Sequence, residues 1–277
     1  MSSPTIIPSF QLSNGLSMPA LGLGVFQARN DGEVEHAVQT ALANGYRLID
    51  TAAAYRNEAG VGRALKASGL PREQVFVTTK VWNSDQGYDA TLRAFDRSLA
   101  ELQTDSVDLY LIHWPVAGQY KSTWRALERL YAEGRTRAIG VSNFQVHHLK
   151  DLMDGAEVTP MVNQVEMHPH LQQEELLAYS KAHGIQLEAW RPIMMGEVNS
   201  LPTMQEIAGQ YSKSPVQVTL RWLIQRGVVA IPKSVTPSRI LQNADLFDFE
   251  LSARDMERIA AMDQGRRLGP DPDNFHF

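Results

Sequence analysis

Eight times along this chain, a short run rich in β-branched and aromatic residues gives way to an amphipathic stretch of helical period, and no other feature narrows the fold as much. The apolar runs cover residues 20–24, 47–50, 75–80, 107–113, 137–142, 161–166, 186–190 and 228–232. The helical patterns cover 33–43, 58–67, 90–102, 123–132, 146–153, 173–182, 215–225 and 238–247. Several end on Gly, as at Asn44-Gly45, Gly69, Gly134, Gly155, Gly184 and Gly227, where a left-handed residue caps unpaired carbonyls. Nearly continuous apolar strands separated by helices imply a parallel sheet covered on both faces. Eight such units close on themselves, so the expected fold is α/β, a (β/α)8 TIM barrel, and 277 residues suit one such domain spanning 1–277.

An open doubly wound sheet is the rival. It calls for a glycine fingerprint after the first strand, and here Gly22-Leu23-Gly24 is followed by Gln27 at the third position. Four segments lie outside the eightfold pattern. Residues 10–18, centred on Asn14-Gly15, predict an N-terminal β-hairpin with a type I′ turn that plugs the bottom of the barrel. Residues 204–211 and 253–262 predict two extra helices, and the Gly/Pro/Asp-rich stretch 264–277 predicts a C-terminal loop over the active site.

Charge and cysteine usage exclude whole classes. A net charge of −5, from 26 basic and 31 acidic residues that are scattered rather than clustered, gives no footprint for nucleic acid or a membrane surface. The absence of Cys removes disulfide scaffolds, thiolate zinc sites, iron–sulfur clusters and cysteine nucleophiles. The first ten residues lack a basic n-region and a long apolar core, so a cytoplasmic, monomeric protein is expected. His168 and His170, with His147 and His148 elsewhere, offer no full set of converging metal donors, and no metal is expected.

Barrel active sites lie at the C-terminal ends of the strands. Asp50, Lys80 and His113 close the second, third and fourth runs, and Tyr55 follows Asp50 by five residues. Singly, these read as a helix cap, a loop end, a polar core residue and a core edge. Together they make a proton donor. A phenol gives up its proton poorly near neutrality, an adjacent ammonium lowers its pKa, and a carboxylate beside the lysine offsets the cost of burying that charge. Lys233, Ser234 and Arg239, after the eighth run and at a helix start, suit a dianionic phosphate or form an ordinary exposed basic loop.

Five ordered motifs then carry a resemblance that spans the chain. They are Asp50-Thr51-Ala52 with Tyr55 and Asn57-Glu58; Thr79-Lys80-Val81-Trp82; Asp108-Leu109-Tyr110-Leu111-Ile112-His113-Trp114-Pro115; Gly140-Val141-Ser142-Asn143-Phe144; and Ile231-Pro232-Lys233-Ser234. In these the chain resembles the aldo-keto reductases, in particular bacterial members grouped with 2,5-diketo-gluconate and methylglyoxal reductases. The tail Gly269-Pro270-Asp271-Pro272-Asp273 fits that group.

The resemblance implies NADPH-dependent reduction of aldehydes or ketones to alcohols. Tyr55 would be the general acid, Lys80 and Asp50 its tuning pair, and His113 the residue that orients the carbonyl. It assigns Ser142, Asn143 and Gln164 to the nicotinamide carboxamide and Trp190 to its ring. Lys233, Ser234, Val235 and Arg239 fall to the adenosine 2′-phosphate, and Gln242 and Asn243 to the adenine. Two positions depart from the family pattern: Arg191 where Ser is usual near the pyrophosphate, and Gln242 where Glu is common. Arg191 is expected to pair with phosphate or to alter the covering loop. Phe26, Trp82, Trp114, Met194, Met195, Phe275 and Phe277, with Asn83 and Arg56, are expected at the substrate mouth. The competing readings are a catalytically silent nicotinamide-binding sensor and a metal-dependent barrel hydrolase or isomerase.

Overall fold

The computed structural model describes residues 6–275, so Phe277 lies outside the described residues. A hairpin of β1 (Ser9–Gln11) and β2 (Ser17–Pro19) precedes eight parallel strands: β3 (Leu23–Gly24), β4 (Leu48–Asp50), β5 (Phe76–Val81), β6 (Val107–Ile112), β7 (Thr136–Ser142), β8 (Val162–Glu166), β9 (Gln186–Trp190) and β10 (Val229–Ala230). They pair in chain order from β3 to β10. The ring closes through parallel bridges Leu21↔Ala230 and Gly24↔Lys233. Ladder bonds are thin at this seam, where Pro232 has no N–H to give and serves only as acceptor for Gly24 at 3.3 Å. That is why the first and last strands are shorter than their apolar runs.

Helices alternate with the strands: α1 (Glu33–Ala43), α2 (Glu58–Ala67), α3 (Tyr88–Leu102), α4 (Tyr120–Ala132), α5 (Val146–Met153), α6 (Glu174–Ala182), α8 (Pro215–Gln225) and α9 (Pro237–Ala244). The two extra helices are α7 (Pro202–Tyr211) and α10 (Ala253–Ala260). The start of α8 shows local chemistry setting a boundary. Ser214 accepts from the Gln217 N–H at 3.2 Å, the Gln217 side chain accepts from the Ser214 N–H at 2.9 Å, and Pro215 occupies the first turn. Every residue of β5 and β6 is buried, as strands covered on both faces must be.

The hairpin turn departs from expectation. Of Asn14 and Gly15 only Gly15 takes positive φ, at 83°. The Gly15 N–H donates to Leu12 O and the Leu12 N–H to Leu16 O, which makes a three-residue loop rather than a two-residue type I′ turn. Asn14 instead spends its amide on the Arg137 carbonyl at the entry to β7, at 2.9 Å, and so ties the hairpin across the barrel floor.

Candidate active site

Strand ends and the loops after them line one cleft of about 1100 Å3. Asp50 ends β4, and a short 3-10 turn, Ala53–Tyr55, carries the phenol back over the barrel mouth. Buried Asn57 fixes that loop: it accepts from Thr51 Oγ1 at 2.8 Å and donates to the Val25 and Ala28 carbonyls at 2.9 and 3.0 Å. Lys80, on β5, is wholly buried beneath the cleft. Its ammonium donates to Asp50 Oδ1 at 2.7 Å, to the Thr51 carbonyl at 2.8 Å and to Tyr55 Oη at 3.4 Å. The His113 ring meets Tyr55 edge-on at 5.7 Å and Trp82 at 5.0 Å. The four residues singled out in the sequence therefore share one site.

Burial sets the acid–base properties. It works against the Lys80 cation, but Asp50 and then Tyr55 outweigh it, and the Lys80 pKa ends above its ordinary value. Burial likewise pushes the Tyr55 phenol up; Lys80 opposes this without cancelling it, so the net acidification expected from an adjacent ammonium does not hold in the free protein. Tyr55 therefore keeps its proton through neutral pH. Burial, and then Lys80, hold His113 well below its usual value, so the imidazole is neutral.

A second group of polar residues lies beside the first. Ser142 Oγ donates to the Gln164 carbonyl at 2.8 Å, and Asn143 Nδ2 donates to the His113 carbonyl at 2.9 Å and to Ser142 Oγ at 3.2 Å. The Gln164 amide nitrogen bonds Asp50 Oδ2 and Glu188 Oε2, both at 2.7 Å. With their hydrogens committed, these three cleft-lining side chains can meet a ligand only as acceptors, and they match one that brings an NH2 group. Trp190 donates its indole N–H to Asn143 Oδ1 at 2.9 Å. Gly269 passes so close that a Cβ there would come within 2.4 Å of the indole ring.

At the far end, Lys233, Ser234 and Val235 from the loop before α9, Arg239 from its first turn and Gln242 and Asn243 from its last line the same cleft. Lys233 and Arg239 are exposed, and neither makes an ion pair among the described residues. Arg191 does not wait for a phosphate. Its guanidinium donates to the Leu268 carbonyl at 2.6 Å and lies 5.5 Å from the Trp190 ring centroid, tying the tail to the indole. Phe26, Trp82, Trp114, Met195, Arg56 and Phe275 are on the cleft wall, with Phe275 4.4 Å from the Trp114 ring centroid. Met194 is fully buried, and neither it nor Asn83 is on that wall. Gln27, Arg56, Asn143, Arg191 and Met195 all line the cleft with positive φ, backbone strain gathered at one place.

The sequence reading missed two buried carboxylates. Glu166 accepts the Leu268 and Gly269 N–H groups at 2.8 and 3.1 Å and pairs with His168 at 3.1 Å, which anchors the tail over the site. Burial works against its charge, but His168 and those amides prevail and hold its pKa below the usual value. Glu188 is the other; burial, and then Asp50, push its carboxyl up to about 8. Glu188 sits inside an apolar run, where nothing local marks it; Glu166 ends one, but its partners lie in the distant tail. Asp273 also joins His147 and His148, giving a three-donor cluster that the sequence did not suggest. His148 Nδ1 accepts from the Gln145 N–H at 3.2 Å, which leaves its hydrogen on Nε2 facing Asp273 and suits a tail contact rather than an ion.

Known proteins resemble this chain over most of its length. The sequence profile of the Aldo/keto reductase family matches residues 20–264. Glyoxal reductase of Bacillus subtilis (strain 168) is 57% identical over 96% of this chain and 97% of its own length. Methylglyoxal reductase DkgA of Escherichia coli (strain K12) is 49% identical over 99% of both chains. A mutant of the enzyme Gox0644, solved in complex with NADPH, superposes with a TM-score of 0.94 at 44% identity, covering 98% of this chain and 99% of that one. A profile match over most of the chain, near-complete relatives at this identity and a closed eight-stranded barrel agree: this oxidoreductase belongs to the aldo/keto reductase family.

Proposed function

We propose that this single barrel domain reduces small aldehydes and ketones, reactive dicarbonyls among them, with NADPH as hydride source and Tyr55 as proton donor. The observation that carries the reading is the buried chain Tyr55–Lys80–Asp50–Gln164, which opens on a cleft whose other wall offers acceptors, an indole and a basic helix start. Support for the cofactor comes from the NADPH complex of Gox0644, and for the substrate class from the relatives named for glyoxal and methylglyoxal.

Ser142, Asn143 and Gln164 would hold the carboxamide, Trp190 the nicotinamide ring, Lys233, Ser234 and Arg239 the 2′-phosphate, and Gln242 with Asn243 the adenine. Bound there, NADPH supplies the hydride. The chain supplies the proton and the field. As negative charge grows on the carbonyl oxygen, Tyr55 passes its proton to it, and Lys80 stabilises the phenolate that forms. Asp50 keeps Lys80 charged and aimed. Neutral His113 can donate one hydrogen bond to the same oxygen.

The test is NADPH oxidation with methylglyoxal. Tyr55→Phe should slow single-turnover reduction by about 10²–10⁴-fold with NADPH affinity nearly unchanged, since the phenol acts in the transition state. Wild-type turnover in that variant would sink the assignment, and NADPH binding without turnover in the wild type would favour a sensor.

A further inference from the structure

Among the buried ionisable side chains that the proposed proton path does not use, Glu188 lies nearest to it, one hydrogen bond from Gln164. Glu188, on β9, is fully buried and pairs across to Gln164 on β8. Its Oε2 accepts one Gln164 amide hydrogen, and its Oε1 has no partner among the described residues. A carboxyl so placed costs free energy, and Asp50, bonded to the same amide nitrogen, adds repulsion. Packing alone would be served better by an apolar residue.

The geometry of Gln164 supplies the reason. Its amide carries two hydrogens, and two carboxyl groups take both at 2.7 Å. A flipped amide would set its oxygen against the Asp50 carboxylate and give up both of these bonds. Held this way, Gln164 presents its own oxygen to the cleft, which its side chain lines. The same nitrogen caps Asp50 Oδ2, whose other oxygen grips Lys80. Orientation of the cofactor acceptor and orientation of the donor's ion pair meet at one amide.

We propose that Glu188 is a positioning residue: by taking the second hydrogen of Gln164, it fixes the acceptor for the nicotinamide carboxamide and braces Asp50 beneath Lys80 and Tyr55. The half that concerns Tyr55 rests on the proton-donor reading above; the half that concerns cofactor affinity does not. The charged and titratable groups that face Glu188 are Asp50 on β4, Lys80 on β5 and Tyr55 in the loop after β4. Glu166, two residues beyond Gln164, is turned to the tail amides. When Glu188 ionises it adds negative charge to this set and makes the Tyr55 proton harder to release. The rate of reduction therefore falls as pH rises past the Glu188 ionisation.

Two variants test this, read by NADPH dissociation constant and by single-turnover rate against pH. Glu188→Leu frees the amide and should weaken NADPH about tenfold, the loss of one buried hydrogen bond of the stronger kind. Glu188→Gln keeps an acceptor of the same shape without a charge. It should restore NADPH affinity to within about twofold of the wild type and move the alkaline fall in rate up by at least about one pH unit. A folded Glu188→Leu that binds NADPH like the wild type overturns the proposal, as does an unchanged alkaline limb in Glu188→Gln. If the leucine variant does not fold, the glutamine profile decides alone. Tyr55→Phe in the same assays separates the two readings. An active phenylalanine variant removes the proton-donor reading, whereas an inactive one beside wild-type-like Glu188 variants removes only the role of Glu188.

Discussion

The cleft has two cationic ends built on opposite principles. Lys80 is wholly buried and spends its hydrogens on Asp50, Thr51 and Tyr55 before any ligand arrives. Lys233 and Arg239 stand in solvent at the start of α9. The first cation is part of the folded core and acts as a fixed field; the second pair is free to recognise. A field must be in place before charge develops, because reorganising it during the reaction would cost what it gains. Recognition needs cations that meet their anion only in the complex.

If that contrast is right, Lys80→Met should have the largest effect. It strands Asp50 in the interior, so urea unfolding should show a loss of about 3–5 kcal/mol along with loss of carbonyl reduction. A variant as stable as the wild type would break the comparison. Next comes the pair at the far end. Lys233→Ala with Arg239→Ala should raise the dissociation constant for NADPH by about 10–100-fold and leave NADH nearly untouched, with stability within about 0.5 kcal/mol of wild type. Equal weakening of both cofactors would place the phosphate elsewhere.

His113 sharpens the same contrast through pH. Burial and Lys80 hold its folded pKa far below the ordinary value, whereas the unfolded chain takes up a proton near 6.5. The unfolded state then binds more protons, so stability is intact above about pH 6.5 and falls as pH drops below it, by at most about 1.4 kcal/mol per unit for this one group. His113→Gln should flatten that acid slope in thermal melts at stepped pH. The smallest expected change is at Arg191. Arg191→Ser removes the bond to Leu268, worth about 1 kcal/mol, and should raise KM for the carbonyl substrate a few-fold while sparing the phosphate end. A tenfold or greater loss of NADPH affinity would instead return Arg191 to the cofactor.

Legibility in the sequence followed the same division. Local chemistry was readable: α1, α2, α5 and α8 begin and end where the periodicity places them, because caps, prolines and glycines act over a few residues. Rim residues such as Asp50, Lys80 and His113 were readable because each breaks an apolar run at its end. Glu188 and Glu166 were not. Glu188 lies mid-strand, and only the register of β8 against β9 sets it beside Gln164; Glu166 ends its run as the rim residues do, but the amides that give it a role lie far along the chain at Leu268 and Gly269. The sign of the Tyr55 shift was also out of reach, since burial and Lys80 oppose each other and only depth decides which prevails. At Arg191 the sequence showed a departure, and the structure supplied its partner.

The tail is fastened at two ends: Glu166 grips the Leu268 and Gly269 amides and Arg191 the Leu268 carbonyl, and further along Asp273 meets His147 at 2.9 Å and Phe275 packs on Trp114. The near end is held through main-chain atoms whatever the side chains there, whereas exchanging Asp273 or Phe275 loosens the far end. Of this stretch Pro270 and Phe275 line the cleft, so on the function proposed above a change at either reaches the carbonyl compound without touching the residues beneath Tyr55.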